Sequence, residues 1–367
     1  MSGACGERYL PAVRAYKRSL DVLPSKLAVS CCMALVLAAC SAGVPASSVI
    51  RSASPATSRA APSSTASVSA EPAEPPELAG DAYREVVVSG GPNVVTATQD
   101  AIWVELHRGS GVVRIEPETM ATEPLPDVHV HCFVAAAPDA VWATEAASST
   151  VTRIDAATAE VTTTATIPDA CGLGVTADDV WVTSPRGAKI FRLDPATAEV
   201  LMEVETPPDP FTVFPRGDVV FAAGEGGGGW LARFDVTTGE PLDEWMAPDV
   251  PFFDKVEFTE DAAWAVGRSD PNLYRLDPVT GEPQGQIMIG REPSGVVVAG
   301  DAVWVSQLGG RLSRIDPSTG SITNTWTMPY SFLNLFTFAF DSLWLTSLEE
   351  NAIIRIDIDR VDISAGR

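Results

Sequence analysis

From Tyr83 onward the chain is written in short apolar runs separated by Gly, Asp, Asn and Pro, the signature of brief β-strands joined by tight turns. These runs recur as a phrase. A strand core around an aromatic reads DAIWV at Trp103, DAVWA at Trp142, DDVWV at Trp181, DVVFA at Phe221, DAAWA at Trp264, DAVWV at Trp304 and DSLWL at Trp344. Ten to twelve residues on, an Arg-apolar-acid turn follows each one, at Arg114, Arg153, Arg192, Arg233, Arg275, Arg314 and Arg355. Successive aromatics lie 39, 39, 40, 43, 40 and 40 residues apart, the period of a four-stranded propeller blade. The predicted fold is all-β: a seven-bladed β-propeller of four-stranded antiparallel blades.

The sixth repeat shows how a blade is written. Val296–Val298 predicts an inner strand, Gly300-Asp301 a turn, Ala302–Ser306 a second strand, Gly309-Gly310 a hairpin and Arg311–Ile315 a third. Asp316-Pro317-Ser318-Thr319-Gly320 then turns the chain into an outer strand, Ser321–Thr327. A lone blade has apolar residues on both faces, so the repeated Trp is read as packing between blades and the repeated Arg as a structural hydrogen-bond partner. The seventh repeat runs short, and Tyr83–Ser89 is expected to supply its outer strand, with Val361–Ser364 as the competitor for that edge.

The N-terminus has a different composition. Basic residues ending at Lys26 precede an apolar run, Leu27–Ala39, too short for a mature transmembrane helix and suited to a signal-peptide core. The long lead before this run places the start of translation downstream of Met1 as an expectation. Leu37-Ala38-Ala39-Cys40 resembles the bacterial lipobox, which implies lipidation of Cys40 (palmitate among its acyl chains) and a cell-membrane anchor on the extracytoplasmic side. Residues 41–80 are mostly Ser, Ala, Pro, Thr and Glu and read as a disordered tether, with a reach of roughly 35 Å if flexible. The expected divisions are therefore 1–39 signal peptide, 40–80 lipidated Cys and tether, and 81–367 propeller.

Charge narrows the partners. The net charge is −23, and residues 1–39 carry five basic against two acidic side chains, so their removal leaves −26. Such a surface disfavours nucleic acid and anionic lipid head groups. Of the six cysteines, Cys5, Cys31 and Cys32 leave with the signal, which isolates Cys132 and Cys171. They occupy one repeat position in consecutive blades, so a disulfide is expected outside the cytoplasm, with two buried free thiols as the alternative.

Residues 83–364 resemble the seven-bladed propellers of the YVTN-repeat and streptogramin B lyase-like group, on the D-x-W-V and R-I-D-P-x-T-G phrases. The lyases carry Glu-Pro-His-Gly at the start of an inner strand, with a catalytic His ten residues before the aromatic, plus acidic and His residues that hold Mg²⁺. This chain has Glu292-Pro293-Ser294-Gly295, and the equivalent positions elsewhere are Asn93, Cys132, Cys171, Phe211, Asp254 and Asn334. None is His, a neutral hydroxyl is a poor proton acceptor, and no catalytic residue is assigned.

Two side-chain groups remain on the face where the lyases hold their ligand. His107, His129 and His131 fall in adjoining sectors, with Glu105, Asp127 and Glu145 nearby, and form a candidate site for a divalent metal such as Zn²⁺; otherwise they are solvated loop residues. Phe211, Phe252, Phe253, Tyr330 and Phe332, with Glu292, form a candidate stacking surface for a peptide, glycan or aromatic ligand, or else fill the funnel above the channel. The expected function is binding of a ligand or envelope protein at the loop face without catalysis, and no cofactor beyond a divalent metal is called for. The alternatives are a metal-dependent lyase or hydrolase using the histidine sector, and a cell-envelope scaffold.

Overall fold

The computed structural model describes residues 74–361, apart from 110, 244–252, 268–269, 291 and 335. The signal peptide, Cys40, Phe252 and nearly all of the tether lie outside the described residues. Within them are seven four-stranded antiparallel sheets. The inner strands are Pro92–Ala97, Val134–Ala136, Leu173–Val175, Pro210–Arg216, Phe253–Phe258, Pro293–Ala299 and Phe336–Ala339, in blades 1 to 7. Each contacts the next, and the last returns to the first, so the sheets close into a ring.

Blade 6 follows its sequence pattern closely: Pro293–Ala299, Ala302–Gln307, Arg311–Asp316 and Ser321–Thr327. Its inner strand begins three residues before the β-branched run because Pro293 pairs with Gln307 across an irregularity before Gly295. In blade 7 the outer strand is Tyr83–Val87, antiparallel to Ala352–Asp357 with Tyr83 opposite Ile356 and Val87 opposite Ala352. After Asp357 the chain makes a 3₁₀ turn over Ile358–Arg360; of the competing segment only Val361 is among the described residues. One end of the chain thus completes the sheet begun by the other.

The packed chain also begins earlier than residue 81. Leu78 N–H donates to the Thr327 carbonyl, and Thr327 N–H to the Pro76 carbonyl, both at 2.8 Å, along the outer strand of blade 6. Leu78 is only 3% exposed, in a cluster with Tyr330 and Leu333. A single apolar side chain in a polar stretch anchors these residues, which is why composition alone reads them as tether.

The core is a set of seams. Trp103 lies in the apolar cluster between blades 1 and 2, Trp142 between 2 and 3, Trp181 between 3 and 4 and Phe221 between 4 and 5. Trp264, Trp304 and Trp344 fill the remaining three. In blades 1, 2, 3 and 6 the repeated Arg staples the hairpin from outside: Arg114 to Asp100 at 3.3 Å, Arg153 to Asp139 at 2.8 Å, Arg192 to Asp179 at 2.5 Å and Arg314 to Asp301 at 2.5 Å. Arg114, Arg275 and Arg355 also sit 5.5–5.9 Å from the centroids of Trp103, Trp264 and Trp344. Between blades 2 and 3 the seam is covalent, because Cys132 and Cys171 form a disulfide with Cα atoms 5.1 Å apart.

The acidic member of each turn has a local role. Asp155, Asp194, Asp235, Asp277 and Asp316 each accept N–H groups from the residues two and three positions on. Bonds to the ionised form hold these carboxyls below the usual carboxylate range: chiefly the backbone N–H of Thr158, Thr197, Thr238 and Thr280 for the first four, and the Ser318 hydroxyl for Asp316. Glu116 is lowered likewise, first by the Thr119 hydroxyl.

Two outcomes follow. Carboxyls lowered on folding bind fewer protons when folded, so their stabilisation is complete above about pH 5 and drains as pH falls through the unfolded and then the folded values. The melting temperature should therefore drop from about pH 5 to about pH 3, and less steeply when Asp155, Asp194, Asp235, Asp277 and Asp316 are all changed to Asn, which keeps an acceptor but no titration; parallel calorimetric curves would exclude the turns as the source. Cys132→Ser should lower unfolding free energy by about 3–4 kcal/mol for a loop of this length, read as the urea midpoint of oxidised wild type against variant.

Candidate functional site

The starts of the inner strands pair with the ends of the second strands, Pro92 with Leu106, Pro210 with Gly224, Phe253 with Gly267 and Pro293 with Gln307. Inner-strand starts and second-to-third-strand loops consequently share one face, around the mouth of the central channel. At this mouth, blades 7, 1 and 2 bring together a contiguous polar cluster.

Glu105, on the second strand of blade 1, is 0% exposed. One carboxylate oxygen, Oε1, lies 3.6 Å from His107 Nδ1; the other accepts the Val94 N–H at 3.4 Å. His107 is placed by its own N–H, which donates to the Gly91 carbonyl at 2.9 Å. Its ring stacks on His131 of blade 2, centroids 4.8 Å apart and planes 16° from parallel. Asn93 is 1% exposed; its side-chain carbonyl accepts from Asn334 Nδ2 of blade 7, and its backbone carbonyl accepts from Thr346 Oγ1 at 2.6 Å. Three buried polar atoms here, Glu105 Oε1, His131 Nδ1 and Asn93 Nδ2, have no hydrogen-bond partner among the described residues.

His129 does not join them. It is exposed between buried Val128 and Val130, whereas half-buried His131 is the one whose ring stacks on His107. Two nearly parallel rings present faces to one another, so their nitrogens do not converge on one ion. Among the described residues no three His, Cys, Asp or Glu side chains form a group able to hold a metal. Of the acidic neighbours, Glu145 accepts the Ala147 N–H at 3.1 Å and Asp127 is exposed.

The aromatic set does not make one surface. Phe211 is buried beside the Cys132–Cys171 bridge with its ring edge-on to Phe133 at 5.8 Å. Phe253 is buried against Tyr274 at 5.5 Å. Tyr330 packs near Tyr83 at 6.4 Å and donates its hydroxyl to Glu85; burial, then that bond, pushes its pKa up. Phe332 is half-buried and Glu292 exposed. These rings fill separate seams because the mouth end of each seam needs apolar volume. The Ser294 hydroxyl donates across a seam to the Leu333 carbonyl, so the residue standing at the lyase-His position is a structural link.

Glu105 itself is the residue that motif reading undervalues. Its signal was present in the repeats: two residues after the aromatic, other blades have Thr144, Thr183, Ala223, Val266, Ser306 and Thr346, and only blade 1 has an acid.

No protein-family model matches the chain, and no curated protein matches it in sequence. Solved structures do match in fold. A streptogramin B lyase structure aligns at TM-score 0.64 and 18% identity over 74% of this chain and 96% of that one. BamB from Moraxella catarrhalis aligns at TM-score 0.53 and 16% identity over 72% and 84%. Hydrazine synthase of Kuenenia stuttgartiensis aligns at 0.64 and 13% over 74% and 97%. With seven blades closed by an N-terminal strand, this chain is a streptogramin B lyase-like β-propeller in its fold.

Proposed function

We propose that this protein is a lipid-anchored, extracytoplasmic propeller that binds a ligand or an envelope partner at the channel mouth of blades 7, 1 and 2. One observation carries the site: among the described residues the buried atoms Glu105 Oε1, His131 Nδ1 and Asn93 Nδ2 make no hydrogen bond, Glu105 Oε1 having only His107 Nδ1 near it at 3.6 Å, whereas buried polar groups in folded proteins are nearly always hydrogen-bonded. A ligand that supplies those bonds gives the cluster its reason to exist. The anchor reading rests on Leu37-Ala38-Ala39-Cys40, and the disulfide supports an oxidising compartment.

A second reading is favoured by the Glu105–His107 pair. A carboxylate beside one imidazole nitrogen orients the ring and leaves the other nitrogen for proton transfer, so acid–base chemistry on a bound ligand is the alternative to binding alone. It is a lyase or hydrolase reading without the phrase His of the lyases.

Both parts are testable in the native host. Cys40→Ser should move the protein from the membrane to the soluble fraction and remove the acyl mass from its N-terminal peptide; unchanged fractionation would refute the lipid anchor. Native mass spectrometry of protein purified without a His tag should show a bound species that disappears in Asn93→Ala and His131→Ala. A bare polypeptide mass for the wild type would count against occupancy of the mouth, and stoichiometric metal lost on His131→Ala would favour the enzyme reading.

A further inference from the structure

The repeats provide an internal control for Glu105. Two residues after the aromatic, Thr144 Oγ1 donates to the Cys171 carbonyl of the next blade at 2.5 Å, Thr183 Oγ1 to Phe211 at 3.4 Å, Ser306 Oγ to Asn334 at 3.1 Å and Thr346 Oγ1 to Asn93 at 2.6 Å. All four acceptors lie ten residues before the aromatic of the receiving blade. The architecture therefore uses a hydroxyl at this position to sew one blade to the next. Blades 4 and 5 have Ala223 and Val266 there, which are apolar and simply fill the seam.

Blade 1 does neither. An ionised carboxyl has no proton to give the carbonyl of Cys132, the equivalent acceptor, and its complete burial carries a desolvation penalty. No Lys or Arg among the described residues pairs with Glu105; its neighbour is the His107 imidazole, with Nδ1 at 3.6 Å. Threonine at this site would be smaller, neutral and able to make the seam bond. What the acid gives the fold stays within blade 1, a bond from the Val94 N–H at 3.4 Å, so it adds no link between blades, and residues that break a local rule concentrate at functional sites.

We propose, building on the reading of the mouth as a ligand site, that Glu105 is a binding carboxylate for the cationic, hydrogen-bond-donating head of a ligand, a primary ammonium group. Glu105 Oε1, with His107 Nδ1 near it at 3.6 Å, makes no hydrogen bond among the described residues and can accept one from the ligand, and His131 Nδ1 can accept a second when its proton is on Nε2. The stacked His107 and His131 rings are half-buried, so solvent meets the cluster through them while the carboxylate stays behind. A protein of net charge −23 concentrates such ions at its surface. An anionic head would instead meet the carboxylate and be repelled.

The test uses the full-length protein with Glu105→Thr and, keeping the side-chain volume, Glu105→Gln. Calorimetry should show Glu105→Thr melting higher than wild type by about 2 °C or more, with Glu105→Gln no lower than wild type. In NMR, n-butylammonium chloride at millimolar concentrations should shift the His107 and His131 imidazole signals saturably in wild type and in neither variant, while sodium butyrate leaves them unmoved. If both variants melt lower, Glu105 is a seam residue and the proposal falls. A response to butyrate alone, or to neither probe, would overturn the ammonium assignment, whereas the bound species sought by native mass spectrometry decides separately whether the mouth is occupied at all.

Discussion

Contact between neighbouring sheets is the constraint on which this protein depends. A four-stranded blade buries its own backbone in hydrogen bonds but leaves two apolar faces, and only another blade covers them. Each fully buried Trp removes roughly 150–250 Å² from water, worth about 4–6 kcal/mol before ordering costs. With Trp103, Trp142, Trp181, Trp264 and Trp344 all at 0% exposure, most of the stabilising area lies between blades. The ring must therefore close, and the strand Tyr83–Val87 closes it by hydrogen bonding to Ala352–Asp357.

Electrostatics serve this frame locally. Surface pairs such as Arg114–Glu123 are exposed enough to contribute little singly, but the repeated Arg does more than pair with an acid. Arg153 Nε donates to the Pro195 carbonyl of the next blade at 3.1 Å, and Arg355 Nη1 to Pro117 of blade 1 at 2.8 Å. The turn aspartates direct their charge at backbone N–H groups. Much of the acidity that looks like a surface property is thus turn chemistry repeated around a ring.

The architecture was legible because its determinants are local and periodic: the aromatic spacing, the Asp-to-Gly turns of blade 6 and the truncated seventh repeat all report within a few residues of where they act. What was not legible depended on three-dimensional neighbours. Phe211, Phe253 and Tyr330 look available at strand starts, yet the seams need their volume. His129 and His131 alternate with buried Val128 and Val130, yet it is His131 whose ring meets His107. Leu78 fixes the end of a segment whose composition says tether. Glu105 was visible in sequence as an odd residue at its repeat position, but its meaning required knowing that the other blades use that position to donate a hydrogen bond.

That difference also explains why the mouth can tolerate an imperfect seam. Between blades 1 and 2 an acid stands where other blades have the linking hydroxyl, and Ala136 N–H donates to Thr96 Oγ1 at 3.1 Å lower in the seam. On one side of this pair, Asn334 and Thr346 bond to Asn93 and the chain terminus closes the ring. On the other, the Cys132–Cys171 bridge ties blade 2 to blade 3, one residue from His131. A polar site that costs stability is most readily held where its flanks are cross-linked, because a rigid surround keeps buried groups from relaxing toward water or toward each other. The placement of the bridge beside the unsatisfied cluster is then part of the same design as the cluster itself.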